Sequence, residues 1–461
     1  MNPKTWLRFF IAFGMVGGSL LSNLSAEVTM DQVREEIRKE MRSASTPNDI
    51  MPERPVAEPS GWGQFKSGRN GFEIVKTPDA TLNFTGYMLF RYVNQLPAEQ
   101  SYTDHLGVSH DIDTRKDFSM PHRVIMGFTG FVFDPKFNYN FTVWTVNATE
   151  QVAVFGSLSY LFRKQFNLFA GVGSMPGTRS LTYSHPYWMG SDRVMADEFF
   201  RPGFTQGIWA VGEAVPGLAY TVMVGNNIST LGVNASENTR NMAVGGTLWW
   251  MPTTHEFGPK GAFGDFEDHQ KMATRFGSSF THSREDRATM DKNKSSPDAT
   301  QIHMADSLYL FEPDSLIHGK TVQRATYQMS AVDAGMKYKG FFIGAEYYTR
   351  WLDRFNDTVG ERLPLNMITD RGFYVQTAKM IVPRKSELYG AVSMVYGDKN
   401  AGYSNSADYL MGTNYYLFDT RNVRLNAQVN LVDRSPASSN FGYYIGGQKG
   451  VIVSAGWSMV F

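Results

Sequence analysis

The chain has 461 residues, enough to bury a large core, and its 44 basic residues balance its 44 acidic residues. It contains no cysteine, which excludes disulfides, thiolate metal sites and a cysteine nucleophile. The balanced charge leaves no basic field that would point to nucleic acid. Aromatic residues make up 14% of the chain and glycine accounts for 43 residues, a composition that favours β-strands joined by tight turns.

Residues 1–26 have the features of a secretory signal peptide. Lys4 and Arg8 precede a run of apolar and small residues at 9–21, and the following residues lead to a predicted cleavage site after Ala26. A membrane anchor is the alternative, but the run is shorter than the ~18–20 residues that span a bilayer as a helix. No later stretch approaches that length, so a membrane-spanning form of the chain has to be a closed barrel.

Residues 27–60 are predicted to form a periplasmic amphipathic helix and a linker. The densely charged segment 27–45 carries an apolar stripe at helical spacing. A helix this short is only marginally stable by itself. It either pairs with copies from other subunits as a short coiled coil or remains a solvated helical segment before the barrel. Segment 46–59 contains four prolines and is predicted to be extended.

Residues 61–461 are predicted to form an all-β, transmembrane, antiparallel up-and-down barrel of about 16 strands. Apolar residues alternate with polar ones from Thr81 onward, and pairs of such runs are joined by tight turns, as at 134–136 and 339–340. Long polar connections alternate with these turns, which is typical of barrels with turns on the periplasmic side. The connection 252–270 is long where the barrel pattern requires a short turn. Either it extends into the periplasm, or the predicted pairing of the strands on either side of it is wrong.

The last twelve residues, 450–461, alternate as a strand with one apolar face. Trp457, Met459 and Phe461 lie on that face, while Ser454 and Ser458 lie on the other. A terminal aromatic residue in such a strand resembles the C-terminal signal of bacterial outer-membrane barrels. The strand is therefore predicted to close the ring and to bind the outer-membrane assembly machinery; the alternative is the last strand of a soluble sandwich.

Several segments of the barrel region resemble the phosphate-selective porin O and P family. The clearest is FTGFVFDPKFNYNFTVW at 128–144, and AEYYTRW at 345–351 and VRLNAQVNLVDRSP at 423–436 are also similar. The resemblance covers residues 61–461 and implies a homotrimeric pore in the bacterial outer membrane. Members often carry Gly-Gln-x-Lys-x-Pro before the third loop, whereas this chain has GVGSMP at 171–176, so it lacks the lysine.

In a pore, the charges on the lining are expected to set selectivity. Taking the less apolar face of each strand as lumenal gives the basic candidates Arg91, Arg123, Arg275, Lys337, Arg350, Lys379 and Arg424. The acidic candidates, all in the second half of the barrel, are Asp333, Glu346, Glu387 and Asp408. Seven minus four leaves a surplus of three positive charges, which predicts a mild preference for anions. Alternatively the charges pair off, Glu346 with Arg350 and Asp333 with Lys337.

The connection 174–206 is the predicted constriction, because it is long, follows the fifth strand and is rich in charges and aromatic rings. Its basic residues are Arg179, His185, Arg193 and Arg201, and its acidic residues are Asp192, Asp197 and Glu198. Its aromatic residues are Tyr183, Tyr187, Trp188, Phe199 and Phe200. These rings either stack on sugars or aromatic solutes, or pack the loop against the barrel wall.

No catalytic motif is present, and the chain is predicted not to be an enzyme and to need no cofactor or metal. His282, Ser283 and Asp286 are the residue types of a catalytic triad, but adjacent residues on an exposed loop are expected to be solvated rather than catalytic. The predicted function is a porin for passive diffusion of small hydrophilic solutes, preferring phosphate-like anions. The alternatives are a channel specific for sugars or aromatic solutes and, behind it, a barrel hydrolase or an envelope-anchoring protein. The predicted partners are outer-membrane lipids, the assembly machinery, two further copies of the chain and small anions.

Overall fold

The computed structural model describes residues 64–65, 71–146, 151–182, 187–228, 241–286, 302–357, 359–437 and 443–461. All of them belong to one compact unit, Ser60–Phe461. The predicted signal peptide and the predicted helix at 27–45 lie outside the described residues. Within the described residues, every helix is too short or too polar to cross a bilayer.

Sixteen antiparallel strands form a closed ring. They are β1 (Thr81–Pro97), β2 (Lys116–Phe131), β3 (Phe137–Val146), β4 (Gln151–Arg163), β5 (Phe166–Ser174), β6 (Phe204–Val215), β7 (Leu218–Gly225), β8 (Ala243–Trp250), β9 (Ala273–Asp286), β10 (Val322–Tyr338), β11 (Phe341–Asp357), β12 (Met367–Val382), β13 (Ser386–Tyr396), β14 (Asn405–Tyr416), β15 (Val423–Asp433) and β16 (Gly450–Val460). Each strand pairs with the next, and β16 pairs with β1. The predicted sixteen-stranded barrel is confirmed.

The two faces of the strands differ because successive side chains point to opposite sides. On β12, Tyr374, Gln376 and Ala378 point inward and are buried, while Val375 points outward and is 37% exposed. The outward positions of the other strands repeat this pattern with large apolar residues such as Leu388. A soluble protein does not expose such a continuous apolar belt, which indicates that hydrocarbon surrounds the barrel.

Short turns join the strands at one end of the barrel, the turn end, and longer connections join them at the other, the loop end. Lys339 and Gly340 link β10 to β11 with φ values of 48° and 71°. Two successive positive φ values match the twist of a hairpin, which is why glycine suits the second position. The exception is residues 251–272, which connect β8 to β9 at the turn end. The pairing of these strands is as predicted.

The C-terminal residue sits where the ring closes. The backbone of Phe461 exchanges two 2.9 Å hydrogen bonds with Gly86 of β1. Its ring lies 5.7 Å from that of Phe72 and 5.9 Å from that of Phe84. Phe72 belongs to a short strand, Phe72–Lys76, that pairs with β1 just beyond the end of β16. A Cβ atom on Gly86 would lie 2.2 Å from the Phe461 ring, so only glycine leaves room for it.

Removing the Phe461 side chain should reduce assembly of the barrel. Phe461→Ala deletes the ring that packs on Phe72 and Phe84 at the closing edge, so the last strand pairs less firmly with β1. We expect less folded, heat-modifiable protein in the outer-membrane fraction at low expression. Phe418→Ala is the control, because that ring is 83% exposed in the β14–β15 turn. Equal amounts of folded Phe461→Ala and wild-type protein would refute a role of the terminal ring.

Candidate functional site: the barrel interior

The connection between β5 and β6 folds into the barrel. We call its described residues, 175–182 and 187–203, the inner loop. Met175 and Phe200 are 0% exposed, and the short helix α1 (Met195–Phe200) is buried on every side. The carbonyl groups of Pro176 and Gly177 accept hydrogen bonds from the hydroxyls of Thr281 and Ser279 on β9. The inner loop therefore lies within the lumen.

Side chains of the barrel wall hold the backbone of the inner loop. Arg424 on β15 donates to the carbonyl oxygens of Trp188 (2.5 Å) and Gly190 (3.1 Å). Further backbone groups of the loop bond to Tyr327, Glu346, Ser393, Asn414 and Gln428. Because these wall residues come from strands β10, β11, β13, β14 and β15, the loop is fixed across one half of the lumen.

Most of the predicted lining residues do point inward. Arg91, Arg123, Arg275, Lys337, Arg350 and Arg424 are buried on the inner face of the wall. Arg179, Arg193 and Arg201 are buried in the inner loop. Lys379 is different: it is exposed between the buried residues Ala378 and Met380, on the outward face, and donates to the carbonyl of Lys339 at 2.6 Å. Its position near the turn end lets the ammonium reach water past the apolar belt, so the lumenal assignment of Lys379 is wrong.

The inward charges are paired, but not as the strand sequences suggest. Arg350 binds Asp370, its register partner on β12, at 2.7 Å. Asp333 binds Arg275 on the neighbouring strand at 2.9 Å rather than Lys337. Glu346 accepts hydrogen bonds from the Arg179 backbone and from two tyrosine hydroxyls instead of binding Arg350. Residues directly opposite each other on neighbouring strands lie about 5 Å apart, whereas residues four apart on one strand share a face but lie about 13 Å apart.

Pairs also form between the wall and the inner loop, and within the loop. Arg91 of β1 binds Asp192 at 3.4 Å. Arg201 binds Glu198 through two 2.9 Å hydrogen bonds, a bidentate geometry. Arg123 of β2 lies over the ring of Trp188, 5.9 Å from its centroid.

The surplus of three positive charges is not present in the structure. Among the described strand residues, the buried basic side chains are Arg91, Arg123, Arg275, Lys337, Arg350 and Arg424. The buried acidic ones are Glu285, Glu346, Asp357, Asp370, Glu387 and Asp408, and Asp333 is largely covered as well. Six basic groups thus face at least six acidic groups. The asymmetry between the halves remains, because strands β1–β8 contribute Arg91 and Arg123 and none of these acids.

The aromatic residues of the inner loop pack the loop rather than present free rings. Trp188 lies under the guanidinium of Arg193 at 4.2 Å, and Phe199 lies under that of Arg350 at 4.1 Å. Phe200 stacks on Tyr348 of β11, with ring centroids 4.9 Å apart. The predicted loop residues Tyr183 and His185 lie outside the described residues, and Tyr187 is half-buried.

Residues 251–272, which we call the turn-side segment, also fold into the barrel. Phe257 and Phe263 are 1% and 4% exposed. The ring of Phe263 meets that of Phe342 on β11 at 5.8 Å. The guanidinium of Arg179 lies 4.3 Å from the Phe263 centroid and donates to the Gly261 carbonyl at 2.9 Å. The turn-side segment and the inner loop therefore meet inside the lumen.

A charged cluster holds the turn-side segment at the turn end. His269 lies between Asp265 and Glu256, and its Nε2 is 2.8 Å from the Glu256 carboxylate. Asp265 also accepts the backbone N–H of Gly340 in the β10–β11 turn at 2.8 Å. Arg421 in the β14–β15 turn binds Glu267 at 3.0 Å. The segment is thus tied to two turns of the barrel.

At neutral pH His269 is protonated while Asp265 and Glu256 are ionised, so opposite charges hold this cluster together. Hydrogen bonds first to Asp265 and then to Glu256 raise the pKa of His269 to about 9. Burial is the largest single effect on Asp265 and opposes its ionisation, but the hydrogen bond and charge of His269 and two backbone hydrogen bonds together outweigh it and hold the pKa of Asp265 below its ordinary 3.8. The hydrogen bond from the other ring nitrogen of His269 lowers the pKa of Glu256 below its ordinary 4.5. The attraction is therefore lost as the pH falls through these lowered values or rises through about 9.

Ligand atoms of Asp265, Glu267 and His269 lie within 4.8 Å of one another. Each is already engaged by another side chain, Asp265 and His269 by each other and Glu267 by Arg421. The cluster therefore needs no metal ion to balance its charges.

One side of the interior remains accessible. The inward residues of β10–β16 are almost all buried by the inner loop and the turn-side segment. The inward residues of β3–β8 are mostly half-buried; among them are Thr142, Ser157, Asn167, Phe169, Trp209, Thr221, Thr247 and Trp249. The accessible wall thus carries mainly hydroxyl, amide and aromatic groups, and its inward acid Glu213 is paired with Lys164. A small cavity of about 10 Å³, bordered by Trp188, Arg193, Phe263 and Gln376, lies between the inner loop, the turn-side segment and β12.

His282 and Ser283 do not form a catalytic pair. The structure extends β9 to Asp286, so both residues lie on a strand rather than on the predicted loop. Adjacent strand residues point to opposite faces. Ser283 is buried inside and donates to Glu285, while His282 lies on the outward face. The hydroxyl and the imidazole therefore cannot reach each other.

No family model matches the chain, and no curated protein matches it. The resemblance to the phosphate-selective porins therefore stays a prediction. Among solved structures, OmpT (in-vitro folded), an outer membrane protein of Vibrio cholerae, superposes with a TM-score of 0.52 at 13% identity, covering 84% of this chain and 100% of that one. The fold is that of an outer-membrane barrel. An anion-selective porin from Comamonas acidovorans has a TM-score of 0.45 at 12% identity, with 83% and 100% covered, too distant to support any inference.

Proposed function

We propose that the protein is an outer-membrane channel through which small hydrophilic solutes diffuse passively. The observation that carries the proposal is the half-buried, polar inner wall of β3–β8 inside a ring whose outer face is apolar. A barrel that served only as an anchor would not need an uncovered polar wall. The inner loop is the proposed constriction, because wall side chains fix it across the other half of the lumen.

The proposed selectivity is a mild preference for phosphate-like anions. Arg91 and Arg123 are the buried charges of β1–β8, and the buried acidic side chains of the wall lie on β9–β14. Glu213, an inward acid of β6, is paired with Lys164 at 2.8 Å. A solute moving along the β3–β8 wall therefore passes closer to the two arginines than to the acids. Arg123, which lies over the rings of Trp144 and Trp188, is the position chosen to test the preference.

Arg123→Glu should lower the anion-to-cation permeability ratio. A fixed charge in a water-filled pore acts over about a Debye length, ~8–10 Å near physiological salt. Single-channel recordings in planar bilayers give open-channel conductance, and reversal potentials under a salt gradient give the ratio. We expect a shift toward cations that is larger at ~50 mM than at 1 M salt.

Lys379→Glu is the matched control, because it makes the same charge reversal on the outward face. Its reversal potential should equal that of the wild type. Equal reversal potentials for Arg123→Glu and wild type at low salt would refute the anion preference. The absence of any conductance from folded protein would refute the channel itself and favour an envelope-anchoring role.

The proposed setting is the bacterial outer membrane, with lipids around the apolar belt, the assembly machinery at the C-terminal strand and a homotrimer as the assembled form. Chemical crosslinking of the protein in native membranes tests the trimer. A single crosslinked species at the mass of three chains supports it, and monomer alone contradicts it.

A further inference from the structure

The accessible wall contains two nearly parallel aromatic rings. Phe169 of β5 and Trp209 of β6 are register partners, and their rings are nearly parallel, 11° apart with centroids separated by 5.5 Å. Both side chains point inward and are half-buried. We call this pair the aromatic plate.

A glycine places the indole flat against the wall. A Cβ atom on Gly173 would lie 3.1–3.3 Å from three atoms of the six-membered ring of Trp209. Such even distances mean that the ring lies face-on over the glycine. Gly171 and Gly207, the next register pair toward the loop end, also have no side chain to tilt it. One face of the indole is therefore covered by backbone, and the partial exposure of Trp209 belongs to the side toward the lumen.

Neutral hydrogen-bonding groups border the plate. On the turn-end side of the plate, Val211 of β6 has Asn167 of β5 and Thr221 of β7 as its register partners. Thr247 of β8 is in turn the register partner of Thr221. All three are half-buried on the inward face. The inward acid on these strands, Glu213, sits beside the β6–β7 turn and is paired with Lys164 at 2.8 Å. In the part of the chain that the structure describes, the plate thus combines a flat apolar face with hydroxyl and amide groups and no unpaired charge at its border.

We infer that the aromatic plate is a binding site for a neutral carbohydrate ring. A pyranose has a C–H face that packs on an aromatic ring and an equatorial rim of hydroxyls that both donate and accept hydrogen bonds. Among the described residues, no unpaired cation lies beside the plate to bind an inorganic anion. This inference rests on the proposed channel function, because the sugar reaches the plate through the lumen.

The test is a titration of single channels with maltose, together with the tryptophan fluorescence of folded protein in detergent. Maltose should interrupt the wild-type current in a saturable manner. Trp209→Ala should raise the half-blocking concentration about tenfold, the equivalent of one aromatic stacking contact. Trp209→Phe should recover most of the affinity. Trp457→Ala is the control, since that indole lies on the outward face and is 47% exposed.

The outcomes separate the two proposals. A conducting wild-type channel that maltose neither blocks nor perturbs in fluorescence overturns the carbohydrate site and leaves the channel in place. Block by benzoate or inorganic phosphate but not by maltose also overturns it. If the folded protein does not conduct but maltose still changes its Trp209-dependent fluorescence, the channel proposal fails and the site stands. Thr247→Val should weaken block without changing the amount of folded protein.

Discussion

Replacing the turn-side segment with a short turn should raise the single-channel conductance several-fold. The segment places Phe257 and Phe263 inside the lumen, where they cover the inward faces of β11 and β12. Conductance is limited by the narrowest cross-section, and removing these side chains opens the turn end. Lys337, which donates to the Phe257 carbonyl at 2.8 Å, would then face water and need no new partner.

The measurement is the conductance of variant and wild type reconstituted from heat-modifiable, folded protein. The control replaces the exposed β12–β13 turn at 383–385 with the same short turn, which leaves the interior unchanged. An unchanged conductance in the folded deletion variant would mean that ions pass only along β3–β8 and that the segment lies outside their path.

The sequence predicts the ring well because its signal is local. A strand with lipid on one side and polar groups on the other alternates with period two, and turn residues such as Lys339 and Gly340 mark the hairpins. Strand ends on the loop side are predicted less well. The alternation predicts a strand that begins at Arg123, whereas β2 begins at Lys116. It predicts a strand that ends at Thr281, whereas β9 ends at Asp286. Beyond the apolar belt both faces contact water or loops, so the alternation disappears.

The filling of the lumen could not be predicted from the strands. The turn-side segment packs against β11, β12 and the inner loop, none of which is its neighbour in the sequence. A local pattern of apolar and polar residues cannot predict such long-range contacts. The composition of the segment does indicate that it is buried. Phe257, Phe263 and Phe266 are large apolar residues, which a connection exposed to water would not be expected to contain.

The lining was predicted in part. Six of the seven basic wall candidates point inward, because a charged residue within the height of the apolar belt lies on the less apolar, lumenal face of its strand. Lys379 fails the rule since a long side chain near the turn end reaches water from the outward face. Asp370 is not among the acidic candidates, because the alternation predicts a strand that begins at Gly372, whereas β12 begins at Met367. The aromatic plate was missed because Phe169 and Trp209 come together only through the β5–β6 register.

Asp370→Asn should destabilise the barrel by about 3–5 kcal/mol, because it leaves the charge of Arg350 buried without its carboxylate. Arg350 is 1% exposed and Asp370 is 0% exposed. The remaining contacts of the guanidinium, the His303 carbonyl at 2.8 Å and the face of Phe199, are neutral. Since Phe199 belongs to α1, the loss should also loosen the inner loop.

Unfolding of the folded protein by urea in detergent, followed by tryptophan fluorescence, measures this effect. Glu213→Gln breaks the Lys164–Glu213 pair, whose lysine side chain is 70% exposed, and should cost only about 0–1 kcal/mol. The double variant Arg350→Met with Asp370→Leu removes both charges and should recover most of the lost stability, since apolar side chains of similar size can replace a buried ion pair. A single variant as stable as Glu213→Gln would mean that water reaches Arg350 and that this half of the lumen is not closed.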